Sequence, residues 1–191
     1  MASALETKTS TDVSTKRKLM EHKNQLVVII MCGAPCTGKT TWIEKNKEIL
    51  RLKYNAPVVV VSRDIIRESV YGSVKHKQTK KKEDEVSKLY YKQLSQASML
   101  DNAILILDNT HLRMSYIESY ETTFKSLIDK GTCKFFIKFT ETPYWKVVWR
   151  NIWRKWKTGK FIPWDVLRNY YFKYIFIKDA ILKKYKDFIY E

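Results

Sequence analysis

Gly33-Ala34-Pro35-Cys36-Thr37-Gly38-Lys39-Thr40 satisfies every fixed position of the pattern G-x-x-x-x-G-K-[ST], and no other stretch limits the fold of this chain so tightly. Such a loop works only between a buried strand and the start of a helix. There, successive main-chain N–H groups and the positive end of the helix converge on one anion. Both flanks fit. Leu26-Val27-Val28-Ile29-Ile30-Met31 is a continuous apolar run of the kind that forms a buried parallel strand. Residues 41–52 read as a helix with Trp42, Ile43, Ile49 and Leu50 on its apolar side. The competing reading, a strand-to-helix turn with a chance lysine, does not account for these flanks. Residues 33–41 are therefore read as a nucleoside triphosphate cradle, Thr41 included. Lys39 reaches the β- and γ-phosphates, and the Thr40 hydroxyl is a ligand for Mg²⁺.

The rest of the chain alternates strand and helix patterns. The expected fold class is α/β: a P-loop kinase with a parallel sheet of about four to five strands, flanked by helices, with a helical lid and C-terminal helices. Val58-Val59-Val60-Val61, Ile104-Leu105-Ile106-Leu107 and residues 134–139 supply further strands. Residues 83–100, 115–129 and 165 onward supply helices, and residues 74–82, with five lysines, read as a solvated loop. Thr142-Pro143 reads as an N-cap followed by proline at the first helical position. A length of 191 residues suits one domain. It divides into a Ser-, Thr- and Lys-rich tail over residues 1–24, expected to be disordered, and a kinase domain over 25–191.

Some classes are disfavoured. The longest apolar run, residues 26–34, is too short for a bilayer, and no apolar stretch follows Met1, so neither membrane insertion nor secretion is expected. Cys32, Cys36 and Cys133 lack metal-ligand spacing and fit a reducing, cytoplasmic setting. His22, His76 and His111 read as surface residues. The net charge of +16 points to a polyanionic partner, against a competing explanation in lysine-rich amino-acid usage.

In open parallel sheets ligands lie at the carboxyl ends of strands. Three such ends here carry polar chemistry: the phosphate loop, Ser62-Arg63-Asp64-Ile65-Ile66-Arg67, and Asp108-Asn109-Thr110-His111. Phosphoryl transfer needs charge neutralisation at the γ-phosphate, a metal, and a group that orients and deprotonates the acceptor. Asp64 or Asp108 can be that base, the other holding a metal-bound water. Arg67, one helical turn beyond Asp64, suits an anionic acceptor, or is simply a surface arginine paired with Asp64 or Glu68. The helix over residues 143–157 carries Trp145, Trp149, Trp153 and Trp156 on one stripe and Lys146, Arg150, Arg154 and Lys157 on the next. The indoles read as core, and the cations as a lid over the triphosphate or a solvated face.

These residues together resemble the kinase domain of phage-type 5′-hydroxyl polynucleotide kinases. The similarity lies in the loop with Lys39-Thr40-Thr41-Trp42, Arg63-Asp64-x-x-Arg67, Thr79-Lys80-Lys81-Lys82-Glu83, Asp108-Asn109-Thr110, Arg150-Asn151, and Pro163-x-Asp165-Val166-Leu167-Arg168-x-x-Tyr171. The resemblance implies ATP and Mg²⁺ as cofactors and 5′-OH ends of DNA or RNA as acceptors. It further implies Asp64 as general base, Arg67 on the acceptor's adjacent phosphate, and Asn109 and Thr110 as acceptor contacts. Asp108 would support the acceptor or the metal, through water, and Arg154 would be the lid arginine on the donor phosphates. The lid segment is longer and more aromatic than the family's, which leaves Arg150 and Lys157 as alternatives to Arg154. Asn109 and Thr110 stand in the reverse of the phage order. No D-x-D-x-[TV] motif occurs, so kinase activity without a 3′-phosphatase is expected. The alternatives are a kinase of a small metabolite or mononucleoside, and a non-catalytic nucleotide-regulated nucleic-acid-binding module.

Overall fold

The computed structural model describes residues 25–72 and 79–191. The expected disorder of residues 1–24, and His22 and His76, fall outside them. Four parallel strands, β1 (Leu26–Cys32), β2 (Val58–Val61), β3 (Ile104–Asp108) and β4 (Cys133–Phe139), lie in the order β2-β3-β1-β4. The helices are α1 (Lys39–Tyr54), α2 (Arg63–Tyr71), α3 (Lys80–Ser98), α4 (Met114–Asp129), α5 (Tyr144–Thr158) and α6 (Trp164–Lys184), with a 3₁₀ turn at Lys186–Phe188. None of the described helices is long and apolar enough to cross a membrane. The α/β fold with a parallel sheet is as the sequence led one to expect, with four strands.

β1 is buried along its whole length because both of its faces are covered. Val27, Ile29 and Met31 pack with Ile43 and Leu50 of α1 on one side. Val28, Ile30 and Cys32 pack on the other with Val86 and Tyr90 of α3, Phe124 of α4 and Ile181 of α6. Alternate side chains of a strand point to opposite faces, so a strand with two apolar faces requires two helical layers. β3, next to β1 at the centre, holds Asp108 level with Met31. The sheet thereby delivers the phosphate loop and the acidic end of β3 to the same edge.

Local structure departs from the sequence-based expectation in several places. The lysine-rich stretch is helical from Lys80, where the Thr79 hydroxyl accepts the N–H of Lys82 and caps α3. The chain does not end in helix: after α6, Tyr190 N–H donates to Ile137 O (2.9 Å) and the terminal residues run along the outer edge of β4. An edge strand with free hydrogen-bonding groups invites unwanted pairing, and this segment covers it. The Trp stripe of α5 faces solvent: Trp145, Trp149 and Trp153 are about two-thirds exposed and Trp156 is 83% exposed. Val147 and Asn151, on the opposite side of the helix, are the buried pair. His111 is buried rather than on the surface.

Candidate active site at the strand ends

The phosphate loop is held in shape by threonines. The Thr37 hydroxyl donates to Ala34 O (2.8 Å) and lies 2.7 Å from the Thr140 hydroxyl, while the Thr142 hydroxyl donates to Thr37 O (2.9 Å). Thr142 therefore serves the loop and not the helix it precedes. α5 starts one residue later than expected, with Pro143 as its N-cap. Two glycines meet conditions no other residue would. A Cβ on Gly33 would stand 2.3 Å from Thr140 Oγ1 and 2.8 Å from Thr37 Oγ1. Gly38, with φ 99°, caps α1 in the left-handed region. Lys39 Nζ donates to Gly33 O (2.8 Å) and Ala34 O (2.9 Å), tucked against the concave side of the loop. Burial pushes its pKa below the ordinary lysine value, opposed chiefly by the Asp108 carboxylate.

Thr40 opens α1 on the same side, and its hydroxyl donates to Asp108 Oδ2 at 3.2 Å. Burial lifts the Asp108 pKa, while Lys39 and the Thr40 hydrogen bond hold it down. A hydroxyl and a carboxylate oxygen this close are hard donors on one spot, a set that suits Mg²⁺ completed by phosphate oxygens and water. Among the described residues no cluster of three or more His, Cys, Asp or Glu side chains could hold a metal. The fit is thus to a metal with few protein ligands, not to a dedicated cage.

Asp64 lies in the first turn of α2, its side chain about two-thirds exposed, and is close enough to act electrostatically on both Lys39 and Asp108. Its neighbour one turn on, Arg67, donates from Nη1 to Asp64 Oδ1 at 2.5 Å. The rest of the guanidinium goes to Glu83 of α3, Nε to Oε1 at 2.9 Å and Nη2 to Oε2 at 2.8 Å. Glu83, not Glu68, is therefore the second partner of this arginine. The hydrogen bonds from Arg67 lower the Glu83 pKa against its burial. Arg67 N–H donors are thus fixed beside Asp64 by a residue from another helix. Asn109 and Thr110 act on the frame: Asn109 Oδ1 accepts Arg63 N–H (3.2 Å), and Thr110 O accepts Gly33 N–H (3.2 Å). The end of β3 is tied by these two bonds to α2 on one side and to the phosphate loop on the other.

Of the lid cations, Arg150 reaches the loop itself. Its Nη1 donates to Thr37 O (3.1 Å), Cys36 O (3.4 Å) and Thr142 Oγ1 (3.2 Å). Arg154 has Nη1 4.0 Å from Cys36 Sγ and makes none of those main-chain contacts. Beneath them the fully buried Asn151 clasps the segment after the lid, donating from Nδ2 to Ile162 O (2.8 Å) and accepting Ile162 N–H at Oδ1 (3.1 Å). The late motif around Pro163 is part of the same support. Pro163 caps α6, Leu167 is fully buried, and the Tyr171 hydroxyl donates to Thr142 O (3.1 Å). Thr140, the loop-holding role of Thr142 and the clasping role of Asn151 have no signal in the sequence, where isolated threonines and one asparagine carry no pattern and Thr142 reads as a helix cap.

Behind the site lies a buried polar chain. His111, with φ 48°, has Nδ1 2.7 Å from Met31 O and Nε2 3.3 Å from the Tyr120 hydroxyl, which in turn pairs with that of Tyr90 (2.8 Å). Burial pushes its pKa down to about 4, so the ring is neutral in the fold. The unfolded chain takes up this proton near pH 6.5. Between about 6.5 and 4 the unfolded state binds more protons, so stability present above pH 6.5 is lost as pH falls through that window, by roughly 3 kcal/mol. Urea unfolding at pH 7 and pH 5 should show about 2 kcal/mol of this loss, and His111→Asn should flatten it. An equal pH dependence in the variant would place the responsible group elsewhere.

Comparisons with known proteins agree with the fold. The family described as AAA domain matches residues 28–128, slightly more than half of the chain. No curated protein matches the chain. Among solved structures, one from the Pnkp1/Rnl/Hen1 RNA repair complex is similar with a TM-score of 0.62 and 20% identity, over 82% of this chain and 46% of that one. Kti12 of Chaetomium thermophilum, in complex with ADP-AlF3, is similar with a TM-score of 0.56 and 16% identity, over 77% of this chain and 79% of its own. The PezAT toxin–antitoxin system of Streptococcus pneumoniae gives a TM-score of 0.59 and 14% identity, over 100% of this chain and 80% of the other. At such identities the likeness concerns the fold. This chain also spans less than half the length of the one it matches in the repair complex.

Proposed function

This chain belongs to the AAA domain family, with a P-loop kinase-like fold, and we propose that it transfers the γ-phosphate of ATP to the 5′-hydroxyl end of a DNA or RNA strand, with residues 25–191 acting as one catalytic unit. The observation that carries the reading is the close approach of three functions at one sheet edge. The phosphate loop with Lys39, the Thr40–Asp108 pair, and the Asp64–Arg67–Glu83 cluster all stand within electrostatic or hydrogen-bonding reach of one another.

In this reading the N–H groups that the loop leaves free between residues 36 and 41, at the start of α1, bind the β- and γ-phosphates, since Pro35 has no N–H and that of Gly33 is bonded to Thr110 O, and Lys39 turns from its loop carbonyls to the phosphate oxygens. Thr40, and Asp108 through water, would hold Mg²⁺, which would supply neutralisation of the phosphate charge. Asp64 accepts the proton of the 5′-OH as that oxygen forms its bond to the γ-phosphorus and the bond to the β-phosphate oxygen breaks. Arg67, aimed by Glu83, binds the acceptor's adjacent phosphate with the Nη N–H groups that Glu83 and Asp64 leave free. Arg154 neutralises the transferring group, and Arg150 sets the height of the lid above the loop. The net charge of +16 supports a polyanionic acceptor over a small neutral one.

The test is γ-labelled ATP offered with 5′-OH oligonucleotides of DNA and RNA and, in parallel, with nucleosides. The expected result is label on oligonucleotide 5′ ends, lost with EDTA, with an acceptor KM that rises steeply with salt through counterion release. Equal labelling of nucleosides with no salt response would replace this reading with a small-molecule kinase. ATP binding with no transfer to any acceptor would leave a regulatory nucleotide site.

A further inference from the structure

The four exposed indoles of α5 take no part in the chemistry proposed above. Around the helix they occupy roughly a quarter of the circumference, and Lys146 and Lys157 occupy the strip beside them, before the surface turns in to Arg150, Arg154 and the buried Val147. α5 contains no carboxylate, so its cations have no acidic partner on their own helix. Lys146 Nζ stands 5.1 Å from the centroid of the Trp145 ring. A continuous strip of flat π surfaces therefore runs parallel to a strip of positive charge.

We propose that this face of α5 is a platform for single-stranded nucleic acid, with bases stacked on the indoles and phosphates along Lys146 and Lys157. Three observations select this occupant. Apart from Lys155, which lies over the Phe161 ring on the other flank, the charge of α5 stands on one side of the indoles, as suits a strand whose bases and phosphates lie on opposite sides of its sugar chain. Trp145, Trp149 and Trp153 recur every four residues, about 6 Å along the axis. A base step occupies about 3.4 Å per strand, so successive indoles stand a little under two base steps apart along the strand. The exposed arc also lacks an aliphatic wedge, since Val148 and Ile152 are half-buried, which disfavours insertion into lipid. A duplex, with its base faces hidden, offers nothing to stack on. Stacking of this kind is tolerant of sequence and contributes about 1–3 kcal/mol per base. The platform extends the polynucleotide reading without resting on it, because binding here requires neither ATP nor Asp64.

The full chain should be titrated with a short single-stranded oligothymidylate while its tryptophan emission is followed, with no nucleotide present. Quenching is expected. The double variant Trp149→Ala/Trp153→Ala should weaken binding by about tenfold or more, at an unchanged thermal midpoint, and the corresponding double Phe variant should keep most of the affinity. Lys146→Gln/Lys157→Gln should lower the salt slope by about one per lysine. Wild-type affinity in the Ala variant overturns the proposal. So does an emission response confined to phosphatidylserine vesicles, which would make this face a lipid surface. Quenching that persists in a protein unable to phosphorylate any acceptor would remove the kinase reading and leave the platform standing.

Discussion

Replacing Asp64 with asparagine should lower the rate of phosphoryl transfer to a 5′-OH oligonucleotide by about 10²–10⁴-fold, the usual contribution of a positioned general base. Asparagine keeps the shape of the side chain and an oxygen to accept the hydrogen bond from Arg67, but it cannot take a proton at neutral pH. Binding of ATP, followed with a fluorescent analogue, should stay within a factor of two or so, because Asp64 makes no hydrogen bond to the loop. The geometry favours Asp64 over Asp108, the other carboxylate at the strand ends. Asp108 accepts from Thr40 and sits beside Lys39, a position suited to the metal. It belongs to a strand locked into the sheet centre. Transfer within tenfold of wild type in Asp64→Asn would move the base to Asp108 or to the acceptor's own phosphate.

Arg154→Ala should reduce kcat by about 10³-fold, in the range of arginines that neutralise a transferring phosphoryl group, with little change in the KM for ATP. Arg150→Ala should behave differently. Arg150 donates to two loop carbonyls and to Thr142, so its loss should loosen the cradle, raise the KM for ATP and lower the thermal midpoint. The sequence points to Arg154, with Arg150 and Lys157 as alternatives. What separates them is the contact each makes: one guanidinium engaged with protein oxygens, the other near only a thiol sulfur. Steady-state kinetics of the two variants decide the matter. If Arg150→Ala carries the loss in kcat and Arg154→Ala is close to wild type, the two assignments exchange.

Much of this architecture was legible because its signals are local. A buried strand, a glycine loop and a helix start are written in contiguous residues, and β1, the cradle and α1 appear where the pattern put them. The Trp stripe shows where such reading stops. Periodicity groups residues onto one face of a helix, but it does not say which face meets the protein. On α5 the large indoles outweighed Val147 and Asn151 in the pattern, although those two make the buried seam. His111 was misjudged for a similar reason. Nothing beside it in the chain announces that Tyr120 and Tyr90 will close over it. Arg67 was seen next to Asp64, one turn away, but Glu83 lies 16 residues on, across a helix boundary. The threonine contacts at positions 37, 140 and 142 span more than 100 residues of sequence, and no pattern rule links such positions.

The bonds from Arg150 and Thr142 to the loop join lid and cradle through protein atoms alone. A donor that enters such a site does not have to spend its own affinity on bringing the two together, since the ordering entropy has been met in folding. The corollary is kinetic. A lid yoked to the main chain of the cradle cannot swing clear without parting those bonds, so departure of ADP should be slow relative to a site closed by the nucleotide itself, and turnover should be paced by that departure more than by the chemical step.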